Sequence, residues 1–276
     1  MTSNKPRSAN KRREAVKERT KAVRILASKK LADLPIHRII PSVFTIVAVC
    51  SGLSAVRFAI SGDWNLVVVY VIIAAVLDTL DGIVARMLKG ASTFGAELDS
   101  LADVINFGVV PSVTLYIYTF QEWGKPGWIV CLFYTVCSML RLARFNTMTI
   151  KQVRQEPWMK RFFIGVPAPS GACIVLLPLT FDLIMKDWGY TDFQLLTTVH
   201  ALFLVMSAIL QISRIPTFAL KGQEIPVNKV PVILIGVVIF TGGLILEPWP
   251  TLFLLGMFYL GTLPLSYNSF RKLENQ

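Results

Sequence analysis

From Ile39 to the end of the chain, apolar stretches near twenty residues recur, broken by short polar or Pro-containing segments. A helix needs about 20 apolar residues to cross a hydrocarbon core of roughly 30 Å. Lipid also forces a spanning segment to satisfy its own backbone groups. The pattern therefore restricts the chain to an all-α, polytopic membrane protein and excludes a soluble enzyme. Composition agrees: of 276 residues, 54% are hydrophobic and 16% charged, against about a quarter charged in ordinary soluble domains. Eight spans are expected, at 40–60, 65–88, 97–120, 127–147, 166–186, 193–212, 230–247 and 249–268.

Charge orients them. Residues 1–38 hold twelve Lys and Arg against Glu14, Glu18 and Asp33, so most of the net charge of +11 sits in this leader. A basic segment ahead of a first span reads as a cytoplasmic tail facing anionic lipid. Without interleaved aromatics it does not suit nucleic acid. The later basic residues alternate in the same sense: Lys89, then Lys151, Arg154, Lys160 and Arg161, then Arg214, Lys221 and Lys229, then Arg271 and Lys272. Only Lys125 falls in a connection assigned to the other side. Both termini are thus expected in the cytoplasm, with a membrane domain over 39–276. Cys50, Cys131, Cys137 and Cys173 have neither zinc nor disulfide spacing and read as buried, inert thiols. His37 reads as interfacial and His200 as a hydrogen-bonding residue inside the bundle. Pro167 and Pro169 mark the start of the fifth span, where Gly165 leaves room for an acyl chain.

The second and third spans contain carboxylates that lipid disfavours. Asp78 and Asp81 are three apart, Asp99 and Asp103 four apart, so each pair occupies one helix face. A charged Asp at the centre of a span costs roughly 2.5–3.5 kcal/mol on insertion scales. Opposite helix directions bring both pairs near the cytoplasmic end. Arg86 and Lys89 are the nearby cations in sequence, too few for four carboxylates. Two hard divalent cations, Mg²⁺ or Mn²⁺, balance them with the oxygen ligands such ions prefer. Two metals close together suit an in-line displacement at phosphorus. Gly82 and Gly95, beside the pairs, let a bulky ligand approach the backbone.

These residues complete the pattern Asp-x2-Asp-Gly-x2-Ala-Arg-x8-Gly-x3-Asp-x3-Asp, met by Asp78, Asp81, Gly82, Ala85, Arg86, Gly95, Asp99 and Asp103. The chain is thereby identified as resembling the CDP-alcohol phosphotransferases. The resemblance implies a six-helix catalytic core, here with two further helices, and usually a homodimer. It implies displacement of CMP from a CDP-linked substrate with two metal ions. It also makes Asp78, Asp81, Asp99 and Asp103 metal ligands and Asp103 the general base. Asp81, Gly82, Ala85, Arg86 and Gly95 are then expected to line the cytidine diphosphate pocket.

The stretches Phe94–Asp103, Arg141–Asn146, Phe163–Pro169 and Ser213–Phe218 resemble the branch of the family that uses CDP-diacylglycerol as donor and L-serine as acceptor. A departure stands at Ser42, where the family pattern has Asn. The expected reaction gives phosphatidylserine and CMP in a bacterial inner membrane. Arg141 and Arg144 suit the lipid-side phosphate or the serine carboxylate, and Asn146 could bond serine. Two rival readings differ in outcome: another acceptor, choline or glycerol phosphate, or a divalent-metal transporter lined by the aspartates.

Overall fold

The computed structural model describes residues 40–87, 93–150, 162–190, 194–218 and 230–274. The basic leader, His37, Lys89 and the basic residues of 151–161 and 219–229 lie outside them. Each of the eight predicted segments coincides with a helix. In chain order these are α1 Ile40–Ile60, α2 Trp64–Met87, α3 Thr93–Tyr118, α4 Lys125–Ile150, α5 Ala168–Asp187, α6 Thr197–Ile212, α7 Val230–Leu246 and α8 Pro248–Glu274. Six of them are long and apolar enough to cross a membrane; α6 and α7 are shorter, at 16 and 17 residues.

The helices begin and end where chain chemistry demands. Gly62 and Gly124 turn the corners after α1 and before α4 with φ of 76° and 59°, values that favour a residue without Cβ. Pro167 and Pro169 open α5 as expected, since a ring with no N–H is tolerated in a first turn. The enclosed element is α5, buried over most of its length. The uniformly apolar α7 leaves Ile235, Val238, Ile239, Ile245 and Leu246 exposed. That is the pattern of a face meeting lipid tails.

Two features escape the periodicity. The first is a π-helical turn, Val104–Val109, directly after Asp103. Its wider turn leaves the Phe107 carbonyl to accept a hydrogen bond from Tyr134 Oη at 2.8 Å. The second is a small ladder, β1 Phe162–Ile164 antiparallel to β2 Pro216–Phe218, with Phe163 opposite Thr217. Gly165 follows β1 with φ of 81°. A Cβ there would stand 2.7 Å from the Gln211 carbonyl oxygen and 2.9 Å from that of Ser213. The space expected for an acyl chain is instead filled by backbone.

Far along the bundle from the aspartate motif, a second acid is fully buried. Asp182 of α5 accepts hydrogen bonds from Tyr118 Oη and from the Leu195 backbone N–H, both at 2.8 Å. His200 Nε2 lies 3.3 Å from the same carboxylate. This arrangement ties the ends of α3, α5 and α6 together, and His200 is a bundle residue as read. The thiols are all free; Cys131 and Cys137 are buried, while Cys50 and Cys173 are exposed, against the expectation that all four are buried.

Candidate active site

The aspartates lie on helices that splay. The first helix packs along α2 and also against α3, whereas α2 and α3 approach each other closely mainly beyond Asp103. Toward the motif end this leaves a cleft that side chains reach across. Asp78 and Asp81 come from α2 and Asp99 from α3, and one carboxylate oxygen of each lies within 4.8 Å of the others. Asp103 is within hydrogen-bonding reach of Asp78. The two sequence pairs therefore form one cluster.

Among the described residues, its surroundings are sparse in positive charge. Arg141, on α4, is 9% exposed and is the cation whose charge acts on Asp103. Arg86 sits in the last turn of α2 and is exposed. Four carboxylates beside one buried guanidinium keep a net negative charge. Asp78 Oδ1 is buried with no hydrogen-bond partner. An all-oxygen donor set with an orphaned carboxylate oxygen fits a hard divalent cation.

Thr45 of α1 is the residue that sequence reasoning passed over. Its Oγ1 lies 2.7 Å from Asp81 Oδ2 and 3.1 Å from the Pro41 carbonyl. A hydroxyl has one proton to donate, and the shorter, charge-assisted contact to Asp81 takes precedence. Asp81 itself is 4% exposed. The signal in the sequence was a hydroxyl residue one turn after Pro41 in an apolar helix, which says nothing about its partner 36 residues away. Outer partners that orient a ligating carboxylate typically change metal affinity 10–100-fold. Thr45→Val is accordingly expected to raise the Mn²⁺ concentration for half-maximal activity about tenfold, with Thr45→Ser staying near the unmodified protein. Equal values for all three, in a metal titration of activity, would show that Oγ1 does not orient Asp81.

The remaining candidates fall into two groups. A Cβ at Gly82 would meet nothing within 4 Å, so open space lies beside Asp81; Ala85 is half-buried next to it. Gly95 lies one turn before Asp99 on α3. Arg144, in contrast, spends its guanidinium on backbone. It donates to the carbonyls of Ile212 at 3.0 Å and of Ile164 and Ser213 at 3.3 Å. It thereby caps the end of α6, where carbonyls lack helical partners, and ties it to β1. Asn146 Nδ2 donates to Ser100 Oγ at 2.9 Å, joining α4 to α3 beside Asp99. Ser42, where the resemblance leads to an expectation of Asn, is buried in the first turn of α1.

Comparison with known proteins meets this geometry at the same residues. The family model for CDP-alcohol phosphatidyltransferases matches residues 38–212, which contain the whole cluster. The chain belongs to that family. Among relatives of this CDP-alcohol phosphatidyltransferase, the CDP-diacylglycerol–serine O-phosphatidyltransferase of Mycobacterium tuberculosis strain H37Rv is 34% identical over 236 residues, 86% of this chain and 80% of its own. That of Mycobacterium leprae is 35% identical over the same share of this chain and 77% of its own. The Helicobacter pylori 26695 enzyme of the same name is 37% identical over 142 residues, 51% of this chain and 57% of its own.

Proposed function

We propose that the protein is a membrane enzyme that transfers the phosphatidyl group of CDP-diacylglycerol to the hydroxyl of L-serine, releasing CMP. The observation that carries this reading is the convergence of Asp78, Asp81, Asp99 and Asp103 from two splayed helices. It occurs in a chain about a third identical, over 86% of its length, to enzymes named for that reaction.

The donor's diphosphate lies at Asp78, Asp81 and Asp99, with Gly82, Ala85, Arg86 and Gly95 against its nucleotide. The serine hydroxyl approaches the phosphorus that bears diacylglycerol. Asp103 accepts the hydroxyl proton as the new O–P bond forms. The bond from that phosphorus to the bridging oxygen breaks, and CMP leaves with the oxygen and its electron pair. Asp78, Asp81, Asp99 and Asp103 would hold two divalent cations, Mg²⁺ or Mn²⁺, whose contribution when bound is to offset charge developing on the phosphoryl oxygens. Gly82, lacking a side chain beside open space, admits the nucleotide.

The organisation follows the charge pattern. Residues 1–38 form a basic cytoplasmic segment before a membrane domain over 39–276, with both termini cytoplasmic. The protein acts as a homodimer in a bacterial inner membrane. Purified protein in CDP-diacylglycerol micelles with Mg²⁺ or Mn²⁺ provides the test, with L-serine, choline, inositol and glycerol phosphate compared as acceptors. CMP release that depends on L-serine is expected. Release with another acceptor would overturn the choice of serine; release with none, while metal still binds, would overturn the enzyme reading.

A further inference from the structure

A proline stands inside the third span. In an unbroken α-helix Pro111 would lack the N–H that the Phe107 carbonyl, four residues earlier, needs, and its ring would press on that same carbonyl. The structure avoids the clash with the π turn at Val104–Val109, where the Val110 N–H reaches back five residues to the Ile105 carbonyl. The α-helix resumes at Val110, with Pro111 in a first-turn position where no N–H is needed. The Phe107 carbonyl, without a donor at position 111, turns to α4 and accepts from Tyr134 Oη at 2.8 Å. Tyr134 is fully buried. Beside it, Thr135 Oγ1 meets Ser112 Oγ at 2.8 Å and the Gly108 carbonyl at 3.4 Å. One turn earlier on α4, Cys131 Sγ reaches the Ser112 carbonyl at 3.3 Å. On the other side Asn106 packs on Gly52 of α1, where a Cβ would collide with its Oδ1. The turn is thus held between α1 and α4, and the residue directly before it is Asp103.

We propose that Tyr134 is a positioning residue for Asp103, acting through the Phe107 carbonyl and the open turn that Pro111 imposes. This rests on the reading above of Asp103 as the group that takes the hydroxyl proton. A regular helix restrains its backbone through bonds between residues four apart. Behind Asp103 one such bond is missing, and a side chain of another helix supplies the donor instead. A local restraint has become a tertiary one, so the place of Asp103 in the cleft depends on the contact between α3 and α4. Of the α4 contacts, the Tyr134 bond is the short one made to the turn itself; the shorter contact of Thr135, and that of Cys131, reach Ser112 beyond it. Reacting groups tolerate little error in placement, about 1 Å costing up to about 100-fold in rate. Loss of the Tyr134 hydroxyl therefore acts on the rate of the chemical step, whereas the groups that bind the substrates stay where they are.

Tyr134→Phe removes the hydroxyl and keeps the ring. The kcat of serine-dependent CMP release is expected to fall about tenfold, with KM for L-serine and for CDP-diacylglycerol each staying within about twofold. In an Asp103→Asn background the same change is expected to cost less than about twofold, since a base that is absent cannot be misplaced. A role confined to holding the bundle together would instead cost about tenfold in both backgrounds. Pro111→Ala approaches the turn from the other side. It supplies an N–H four residues after Phe107, which closes the turn in the regular way and competes with Tyr134 for the carbonyl. Alanine also favours helix, so the thermal unfolding midpoint is expected to hold or rise while kcat falls. An unchanged kcat in Tyr134→Phe, equal losses in the two backgrounds, or full rate in Pro111→Ala would overturn the proposal. Full rate in Asp103→Asn alone would strike at the reading beneath it, so the two failures are distinct.

Discussion

Asp103→Asn is expected to lower serine-dependent CMP release by about a thousandfold, within the range of 10²–10⁴ that a positioned general base contributes. Asparagine has nearly the same shape and leaves Arg141, Asp78 and the turn of α3 in place, but its amide cannot take a proton from the attacking hydroxyl. The position of Asp103 explains why the loss should exceed that of its neighbours' outer partners. It lies partly buried in the cluster, beside Arg141, the buried guanidinium among the described residues whose charge acts on it. The measurement is CMP release per mole of purified variant at saturating donor. A variant retaining more than about a tenth of the rate would place the base elsewhere, because a residual of that size is outside what loss of such a group leaves.

Removal of divalent cations is expected to stop the reaction, and Mg²⁺ or Mn²⁺ to restore it. Three carboxylates with oxygens within 4.8 Å of one another repel strongly at low dielectric. Nothing among the described residues beside them balances that charge, Arg141 excepted. Asp78 should show the effect most sharply, since its Oδ1 is buried without a protein partner. Asp78→Asn is expected to raise the half-saturating Mn²⁺ concentration by about 100-fold, the upper end of what even an outer partner of a metal ligand produces. Cation binding also favours the folded state by mass action. Chelation should therefore lower the thermal unfolding midpoint of the unmodified protein and change that of Asp78→Asn less. Undiminished CMP release in excess chelator would refute a role for the cluster as a metal site.

Much of this architecture was legible because its signals are local. Span length and apolarity are properties of twenty consecutive residues; α2 and α5 fall within two residues of the segments read for them. The aspartates stood out because lipid makes a bare carboxylate anomalous, and helical spacing put each pair on one face. The start of α3 was read late, at 97 against Thr93, because Glu97 and the polar residues around it conceal a helix that continues past the apolar part. What remained hidden depends on partners distant in sequence. Thr45 finds Asp81 across 36 residues, Arg144 finds Ile212 across 68, and Tyr118 finds Asp182 across 64. Asp182 itself carried the same anomaly as the motif aspartates. It stood alone, without the spacing that drew attention to them.

The π turn at Val104–Val109 sets where the third helix can change length. One residue of α-helix is about 100° of rotation, and a π turn absorbs an additional residue without passing that rotation on. At one end of the helix Asp99 and Asp103 face the cleft; at the other, Tyr118 faces Asp182. Loss of a residue within Val104–Val109 would regularise the turn and leave both ends in phase. Loss of a residue between Val110 and Tyr118 would swing the tyrosine about a quarter-turn from its acid. Within this span, the place most tolerant of a deletion in backbone phase is thus the segment adjoining Asp103.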